Sequence, residues 1–376
     1  MDGAQIESVV LEENGLTVAL PGAGPAYFNA WWLRDNCRTS FDPETRERIF
    51  DVFHYETTPR PADARIDDDA LVIRWAGEDH VSRYPLAMLE TYARGTRRAD
   101  PADLPRRSWF ADHYPHLTRV SHPLLLENVG ERRRWMEALL VEGIAIVTDM
   151  PDTDAALTQT AELLGTIRPS FFGAYFDVRT HVKPTNLAYT SKALELHTDV
   201  PSEELAPGIQ YLHCRRNSVE GGRNLFLDGA AVANDLREVD PEAFRLLTET
   251  EVPFYKEQDG LDMRARQRVI ELDHNGEVAG VTISQHMADI FDLPQRLLDR
   301  YYPAFVKFGR MLQQDKYVMR FTLAAGECIS FDTHRIVHGR AAYSATSGER
   351  YLRGTYTDRG ELRGIYRALV SEGRFK

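Results

Sequence analysis

The stretch Gly326-Glu327-Cys328-Ile329-Ser330-Phe331-Asp332-Thr333-His334-Arg335-Ile336-Val337-His338-Gly339-Arg340 carries a β-run, 328–331, through a polar break to a histidine set beside a glycine. A glycine in a strand lets backbone approach a ligand closely. Past His338, Arg350 opens another run of β-formers, Arg350-Tyr351-Leu352-Arg353-Gly354-Thr355-Tyr356. Upstream, Leu194-Glu195-Leu196-His197-Thr198-Asp199 places a histidine and an aspartate two positions apart. On a strand, or at the strand end just beyond it, that spacing sends both side chains to the same side. Two neutral imidazoles and one carboxylate can hold a ferrous ion on one face and leave positions open for a cosubstrate and O₂. His197, Asp199 and His338 are the candidate metal ligands and catalytic residues.

The triplet alone is a weak signal. With 12 histidines and 57 acidic residues among 376, chance placement gives about two His-X-acid triplets. Two are present, His197-Thr198-Asp199 and His54-Tyr55-Glu56. In isolation either reads better as a hydrogen-bonded structural histidine, and context selects the first. An arginine such as Arg350 suits the far carboxylate of a chelating dicarboxylate, because its planar fork matches a carboxylate better than lysine does. Its plainer reading is a surface charge at a strand start.

Around these motifs, β-rich segments are expected at 16–20, 27–33, 71–75 and 81–84, with a helix at 85–94. The charged, Pro-containing run 94–107 has no apolar periodicity and marks a domain boundary. It leaves a small N-terminal β-rich domain, 1–98, and a catalytic domain, 108–376. In the latter, helices are expected at 132–141, 153–164 (capped by Asp152 or Thr153), 294–301, 304–313 and 361–370. Strands are expected at 144–148, 209–214, 224–227, 252–255, 269–272, 278–284, 317–323, 328–331 and 351–357. Short strands with helices grouped at a few places imply a mainly β, α+β fold: a double-sheet core with helices packed outside.

Composition bounds the function. The chain is 43% hydrophobic and 27% charged with a net charge of −12. That is ordinary for a soluble protein and unsuited to a phosphate backbone, so a nucleic-acid partner is not expected. No run approaches the roughly 18–20 apolar residues that span a bilayer, and no secretion signal opens the sequence. Cys37, Cys214 and Cys328 are scattered, odd in number and without zinc-finger spacing, which suits the cytoplasm. No Gly-X-Ser-X-Gly elbow, phosphate-cradling loop or dinucleotide fingerprint is present.

His-Thr-Asp after Asn-X-Ala-Tyr-Thr, then Gly-Ile-Gln-Tyr-Leu-His-Cys, Gly-Gly and Asp-Gly, closing with Phe-Asp-X-X-Arg-X-X-His-Gly-Arg, resembles the γ-butyrobetaine and trimethyllysine hydroxylases. These belong to the taurine-dioxygenase-like superfamily. The matches run in order from Trp32-Leu33-Arg34-Asp35-Asn36-Cys37 to Tyr356, nearly the whole chain. The resemblance implies a double-stranded β-helix (jelly-roll) core that uses Fe(II), 2-oxoglutarate and O₂. It implies iron on His197, Asp199 and His338, with 2-oxoglutarate on Arg350 and Asn224. It also implies a homodimer.

Family substrates are small zwitterions with a trimethylammonium group. Such a cation donates no hydrogen bonds and is recognised by aromatic faces. The resemblance assigns the cage to Phe172, Phe176, Tyr189 and Tyr356, and the substrate carboxylate to Asn186. The butyrobetaine enzymes have tyrosine and tryptophan where this chain has Phe172 and Phe176, and tyrosine where it has Val200. A second anion-binding asparagine is replaced within Ile283-Ser284-Gln285-His286, which makes Ser284 and His286 candidates for an altered acidic end. The substrate expectation is therefore γ-butyrobetaine-like. The alternatives are a trimethylammonium phosphonate such as 2-trimethylaminoethylphosphonate, and trimethyllysine. In relatives the N-terminal domain binds structural zinc. Here Cys37 and His80 match, while Thr39 and Asp42 replace cysteines, so zinc is not expected. Two other classes stay open: a metallohydrolase on the same triad, and a binding protein that has lost turnover.

Overall fold

Cys328–Asp332 and Ile336–Arg340, the runs on either side of the polar break, are strands buried along their whole length, and they belong to different sheets. The computed structural model describes residues 9–95, 99–179, 187–258 and 260–371. Cys328–Asp332 lies in a six-stranded sheet ordered Arg119–Ser121, Ile144–Thr148, Cys328–Asp332, Ile209–Asn217, Arg350–Thr357 and Phe176–Val178. Ile336–Arg340 lies in a four-stranded sheet ordered Leu194–His197, Ile336–Arg340, Asn224–Asp228 and Met319–Phe321. Only the pairing of Arg119–Ser121 with Ile144–Thr148 is parallel among the described ladders of these two sheets.

Alternation along each strand sends one set of side chains inward. Ile146, Leu212 and Ile329 of the larger sheet join Phe226, Phe321 and Ile336 of the smaller in one apolar cluster. The opposite face of the larger sheet offers Val147, Tyr211 and Cys328 to the helices Val129–Val141, Asp154–Glu162 and Arg359–Val370, which bury Trp135, Leu157 and Tyr366 against it. This is the double-stranded β-helix expected from the motifs, mainly β with helices outside.

The chain divides into two compact units, Met1–Ala99 and Asp100–Lys376. The first carries two three-stranded sheets, Val9–Glu12 with Gly15–Leu20 and Gly24–Asn29, and Pro61–Asp67 with Ala70–Trp75 and Val81–Pro85. Leu16, Phe28, Leu71 and Trp75 share its core. Residues 100–107 are tied to the second unit, since Asp100 pairs with Arg363 and Arg367 of its closing helix.

Three local expectations are corrected. The strand expected over 27–33 stops at Asn29, whose side chain accepts from the Trp32 N–H and caps the helix Ala30–Asp35. The two helices expected at 294–301 and 304–313 are one, Gln295–Leu312, running through Pro303. An interior proline costs about 3 kcal/mol, and here the buried stripe Tyr301, Ala304, Phe305, Phe308 and Met311 offsets it. The helices Gly229–Val239 and Pro241–Glu249 were not anticipated, although Asp228 and Asp240 cap them in the usual way.

Arg335 fixes the entry to the strand that carries His338. Its guanidinium donates to both oxygens of Asp228 (3.0 and 2.7 Å) and to the carbonyls of Val141 and Arg107 (2.7 Å each). Both side chains are almost wholly buried. Replacing Asp228 by Ala strands that cation and removes a helix cap; a loss of about 3–5 kcal/mol is expected by chemical denaturation. His213 gives a pH-dependent prediction. It is buried, and neither ring nitrogen has a partner among the described residues. Burial, and then the charge of Arg215, push its pKa from 6.5 down to about 4. The folded state resists protonation, so this stabilisation is present above the unfolded value and is lost as pH falls through about 4. Thermal unfolding followed across that range should lose part of its pH dependence in His213→Leu.

Candidate metal centre

His197 ends the strand Leu194–His197, and the antiparallel ladder sets it directly opposite His338. The two imidazole centroids are 4.4 Å apart. At the next residue the chain is pinned. The Thr198 N–H donates to the Ile283 carbonyl at 2.6 Å, and its hydroxyl accepts from the Ile283 N–H at 3.0 Å. Thr198 therefore points away, and Asp199 falls on the same side as His197, as the spacing requires. Val200 then turns the backbone with φ of 47°, a left-handed conformation costly for a β-branched residue and more so before Pro201.

Asp199 Oδ1 lies 3.2 Å from His197 Nε2 and 3.7 Å from His338 Nε2. One ligand atom from each of the three residues falls within 4.8 Å of the others. The second carboxylate oxygen accepts from the Tyr356 hydroxyl at 2.7 Å. His197 Nδ1 is 2.8 Å from the Glu195 carbonyl. Donation there leaves Nε2 as the lone-pair nitrogen facing the aspartate. Burial works against ionising Asp199, but His338, His197 and the Tyr356 hydroxyl hold it well below the usual carboxylate range. Burial, and then the charge of His197, push His338 down to about 3. Two imidazoles and one carboxylate converging within 4.8 Å are a donor set suited to a divalent transition metal, so the residues present fit iron(II).

Above the triad opens a cleft lined by the three triad residues together with polar and aromatic side chains. One end holds Arg350 and Asn224. Arg350 Nη2 donates to Asn224 Oδ1 at 3.1 Å, while Nε and Nη1 have no partner among the described residues. Burial, and then the charge of Arg340, lower its pKa to about 10, so it stays cationic at neutral pH. A buried guanidinium with open donors fits a ligand carboxylate. The Gly221-Gly222 motif makes room for it. At Gly222 φ is +63°, and a Cβ there would lie 3.2 Å from Tyr343 Cβ and 3.5 Å from Arg350 Cδ.

The other walls are aromatic. Phe172, Phe176, Tyr189 and Tyr356 all line the cleft, with ring centroids 6.3 Å apart for Phe172–Phe176 and 5.1 Å for Phe176–Tyr356. His286 also lines it, edge-on to His197 at 5.0 Å. Burial, and then the His197 charge, bring His286 to about 4, which makes it a neutral hydrogen-bonding group. Ser284 is buried with its hydroxyl 3.5 Å from His286 Nδ1 and does not line the cleft. Asn186 lies outside the described residues.

In the N-terminal unit the Cys37 thiol is 3.1 Å from Thr39 Oγ1, which is 3.4 Å from His80 Nε2. The threonine hydroxyl stands between the two residues that match the zinc pattern. Asp42 instead accepts from the N–H groups of Glu44 and Thr45.

Sequence reasoning passed over Arg340 and Gln210. Both line the cleft, and Gln210, opposite Tyr356 in the ladder, has an Oε1 with no partner among the described residues. The signal was available: Arg340 is two positions past His338 on one strand, hence on the same face.

The family profile described as taurine catabolism dioxygenase TauD, TfdA family matches residues 118–356. The γ-butyrobetaine dioxygenase of Pseudomonas sp. (strain AK-1) is 32% identical over 363 residues, covering 95% of this chain and 94% of that protein. The Homo sapiens γ-butyrobetaine dioxygenase is 28% identical over 345 residues, 88% of each chain. The mitochondrial trimethyllysine dioxygenase of Bos taurus is 27% identical over 354 residues, 91% of this chain and 82% of the other. With the matched span taking in the triad, Arg350 and the strands that carry them, the chain belongs to the taurine catabolism dioxygenase TauD, TfdA family.

Proposed function

We propose that this dioxygenase uses iron(II), 2-oxoglutarate and O₂ to hydroxylate an unactivated C–H bond of a small quaternary-ammonium zwitterion, with γ-butyrobetaine the first candidate. The observation that carries the reading is the lining of one cleft, which combines the His197–Asp199–His338 triad, a buried guanidinium with open donors and four aromatic side chains. The relatives named for γ-butyrobetaine and trimethyllysine support the substrate class.

Iron(II) and 2-oxoglutarate, when bound, supply the oxidising chemistry, in which O₂ and the keto acid are consumed, succinate and CO₂ leave, and one oxygen enters the substrate. His197, Asp199 and His338 would hold the metal. The Tyr356 hydroxyl occupies one carboxylate oxygen of Asp199 and leaves the other for the metal. Arg350, steadied by Asn224, would receive the distal carboxylate of the keto acid. Phe172, Phe176, Tyr189 and Tyr356 would face the trimethylammonium group, set its distance from the metal and exclude water. A trimethylammonium phosphonate is the second reading, favoured by His286, whose neutral ring can hydrogen-bond an additional acid oxygen. We place the enzyme in the cytoplasm as a homodimer; the three free, buried cysteines support a reducing compartment, and light scattering on the purified chain tests the dimer.

The deciding measurement is an anaerobic titration of the ferrous enzyme with 2-oxoglutarate, followed by γ-butyrobetaine, trimethyllysine, a trimethylammonium phosphonate and taurine. A visible absorption band should form with the keto acid and shift with the true substrate. His338→Ala should abolish the band, and its survival would reject the ligand assignment. Succinate should form under air and not under argon; turnover under argon would favour a metallohydrolase. Arg350→Ala removes charge-assisted bonds that contribute about 1.5–3 kcal/mol, so the KM for 2-oxoglutarate should rise roughly tenfold to a hundredfold. Gly222→Ala should raise it in the same direction, with the metal affinity unchanged.

A further inference from the structure

Phe172 lines the cleft, yet among the described residues it belongs to none of the apolar clusters, whereas Phe176 packs against the one between the two sheets. Backbone sets its place instead. Phe171 and Phe172 are the central residues of a tight turn, closed by bonds from the Ser170 N–H to the Gly173 carbonyl at 3.0 Å and from the Gly173 N–H to the Ser170 carbonyl at 2.8 Å. The Phe171 N–H donates outside that turn, to Glu203 Oε1 at 2.7 Å, and the Phe171 and Phe172 rings meet edge-on at 5.4 Å. Glu203 is buried, an unfavourable position for a carboxylate without partners. Its Oε2 has Arg168 at 3.7 Å, and Arg168 is itself bonded to the carbonyls of Leu205 and Ala206 and to Asp358. Glu203 also closes the turn that leaves Asp199: its N–H donates to the Val200 carbonyl at 3.0 Å, and its own carbonyl accepts from Gln267 Nε2 at 3.1 Å. One residue thus belongs to the metal side of the cleft by its backbone and to the aromatic wall by its side chain.

We propose that Glu203 is a positioning residue for the aromatic wall: its carboxylate, bonded to the Phe171 N–H, ties the turn that presents Phe172 to the turn that leaves Asp199, and so fixes where a quaternary-ammonium substrate sits relative to the metal. The inference rests on the dioxygenase reading and deepens it. A two-residue turn is a weak anchor by itself, because ordering its backbone costs entropy and it buries little apolar surface in return. A hydrogen bond from a buried acceptor supplies the missing restraint. The acceptor is held in turn by the Val200 and Gln267 contacts of its own backbone, so the wall and the metal side move as one. Hydroxylation needs the reacting C–H bond held within a small distance of the metal. A Phe172 free to drift loosens that distance, and keto acid is then consumed without hydroxylated product.

The test uses the full chain loaded with iron(II). In Glu203→Ala the 2-oxoglutarate affinity, read from the anaerobic absorption band, should stay within about threefold of wild type. The KM for γ-butyrobetaine should rise about tenfold or more, the scale of one hydrogen bond to a charged group, and succinate should exceed hydroxylated product. Glu203→Gln keeps an acceptor for the Phe171 N–H, and its KM should return to within about fivefold of wild type. Phe172→Ala removes the ring through which Glu203 acts, so adding Glu203→Ala to it should change KM by less than about twofold. Hydrogen exchange over residues 170–174 supplies a readout independent of turnover: it should quicken in Glu203→Ala and not in Glu203→Gln. If Glu203→Ala does not fold, Glu203→Asp, which keeps the charge and shortens the reach, replaces it with the same expectations. Wild-type KM in Glu203→Ala, a Glu203→Gln variant as impaired as Glu203→Ala, or full additivity with Phe172→Ala would each overturn the inference. Absence of the absorption band in wild type is a different result, because it rejects the dioxygenase reading beneath the inference. If the band forms and another ammonium compound shifts it in place of γ-butyrobetaine, the same comparisons are made with that compound.

Discussion

The register of one antiparallel ladder organises the rest of the molecule's chemistry. With His197 opposite His338 across the strands Leu194–His197 and Ile336–Arg340, two imidazoles meet without any loop having to bring them together. A slip of one residue would turn one of them to the other face of the sheet. Several contacts guard against that slip. Thr198 is bonded to the backbone of Ile283, Arg335 is clamped by Asp228 at the strand entry, and Phe226 and Phe331 pack against the His338 ring at 6.0 and 4.9 Å. Asp199 then needs only to be the second residue beyond His197. The strained turn at Val200, stored directly beside the carboxylate, is the kind of cost that folded proteins carry at functional positions.

The cleft is also a problem in charge. Among the described residues it contains one carboxylate, that of Asp199, against two buried guanidiniums, those of Arg340 and Arg350. A divalent metal adds to the positive side. Such an arrangement is unfavourable by itself, because the neutral partners of these cations, Asn224 at Arg350 and three backbone carbonyls at Arg340, offset their desolvation only in part. A bound dianion with one end toward the metal site and the other at Arg350 would offset both excesses at once. The aromatic walls then receive a cation-bearing molecule whose own charges balance.

Much of this was legible from residue order. The His-X-Asp spacing, the glycine beside His338 and the arginine that opens the next β-run are short-range signals with a direct geometric meaning. The helix start marked by Thr153 and the apolar run of the buried strand 144–148 are of the same local kind. What was misread also has a local cause. The run 27–33 is rich in β-formers, but the cap at Asn29 decided for helix. Pro303 reads as a break until the buried stripe on both sides of it is counted.

The sequence by itself determined the metal-binding chemistry, the β-rich double-sheet class and the family, because each depends on residue types at fixed short spacings or on ordered motifs. Only the tertiary structure decided that His197 and His338 share a ladder, that Tyr356 bonds the Asp199 carboxylate as well as lining the cleft, and that Arg340 joins Arg350 around Tyr343. Those facts depend on which strands become neighbours. Strand pairing is settled by the burial of whole sheet faces, a property of the folded chain that no local pattern of residues expresses.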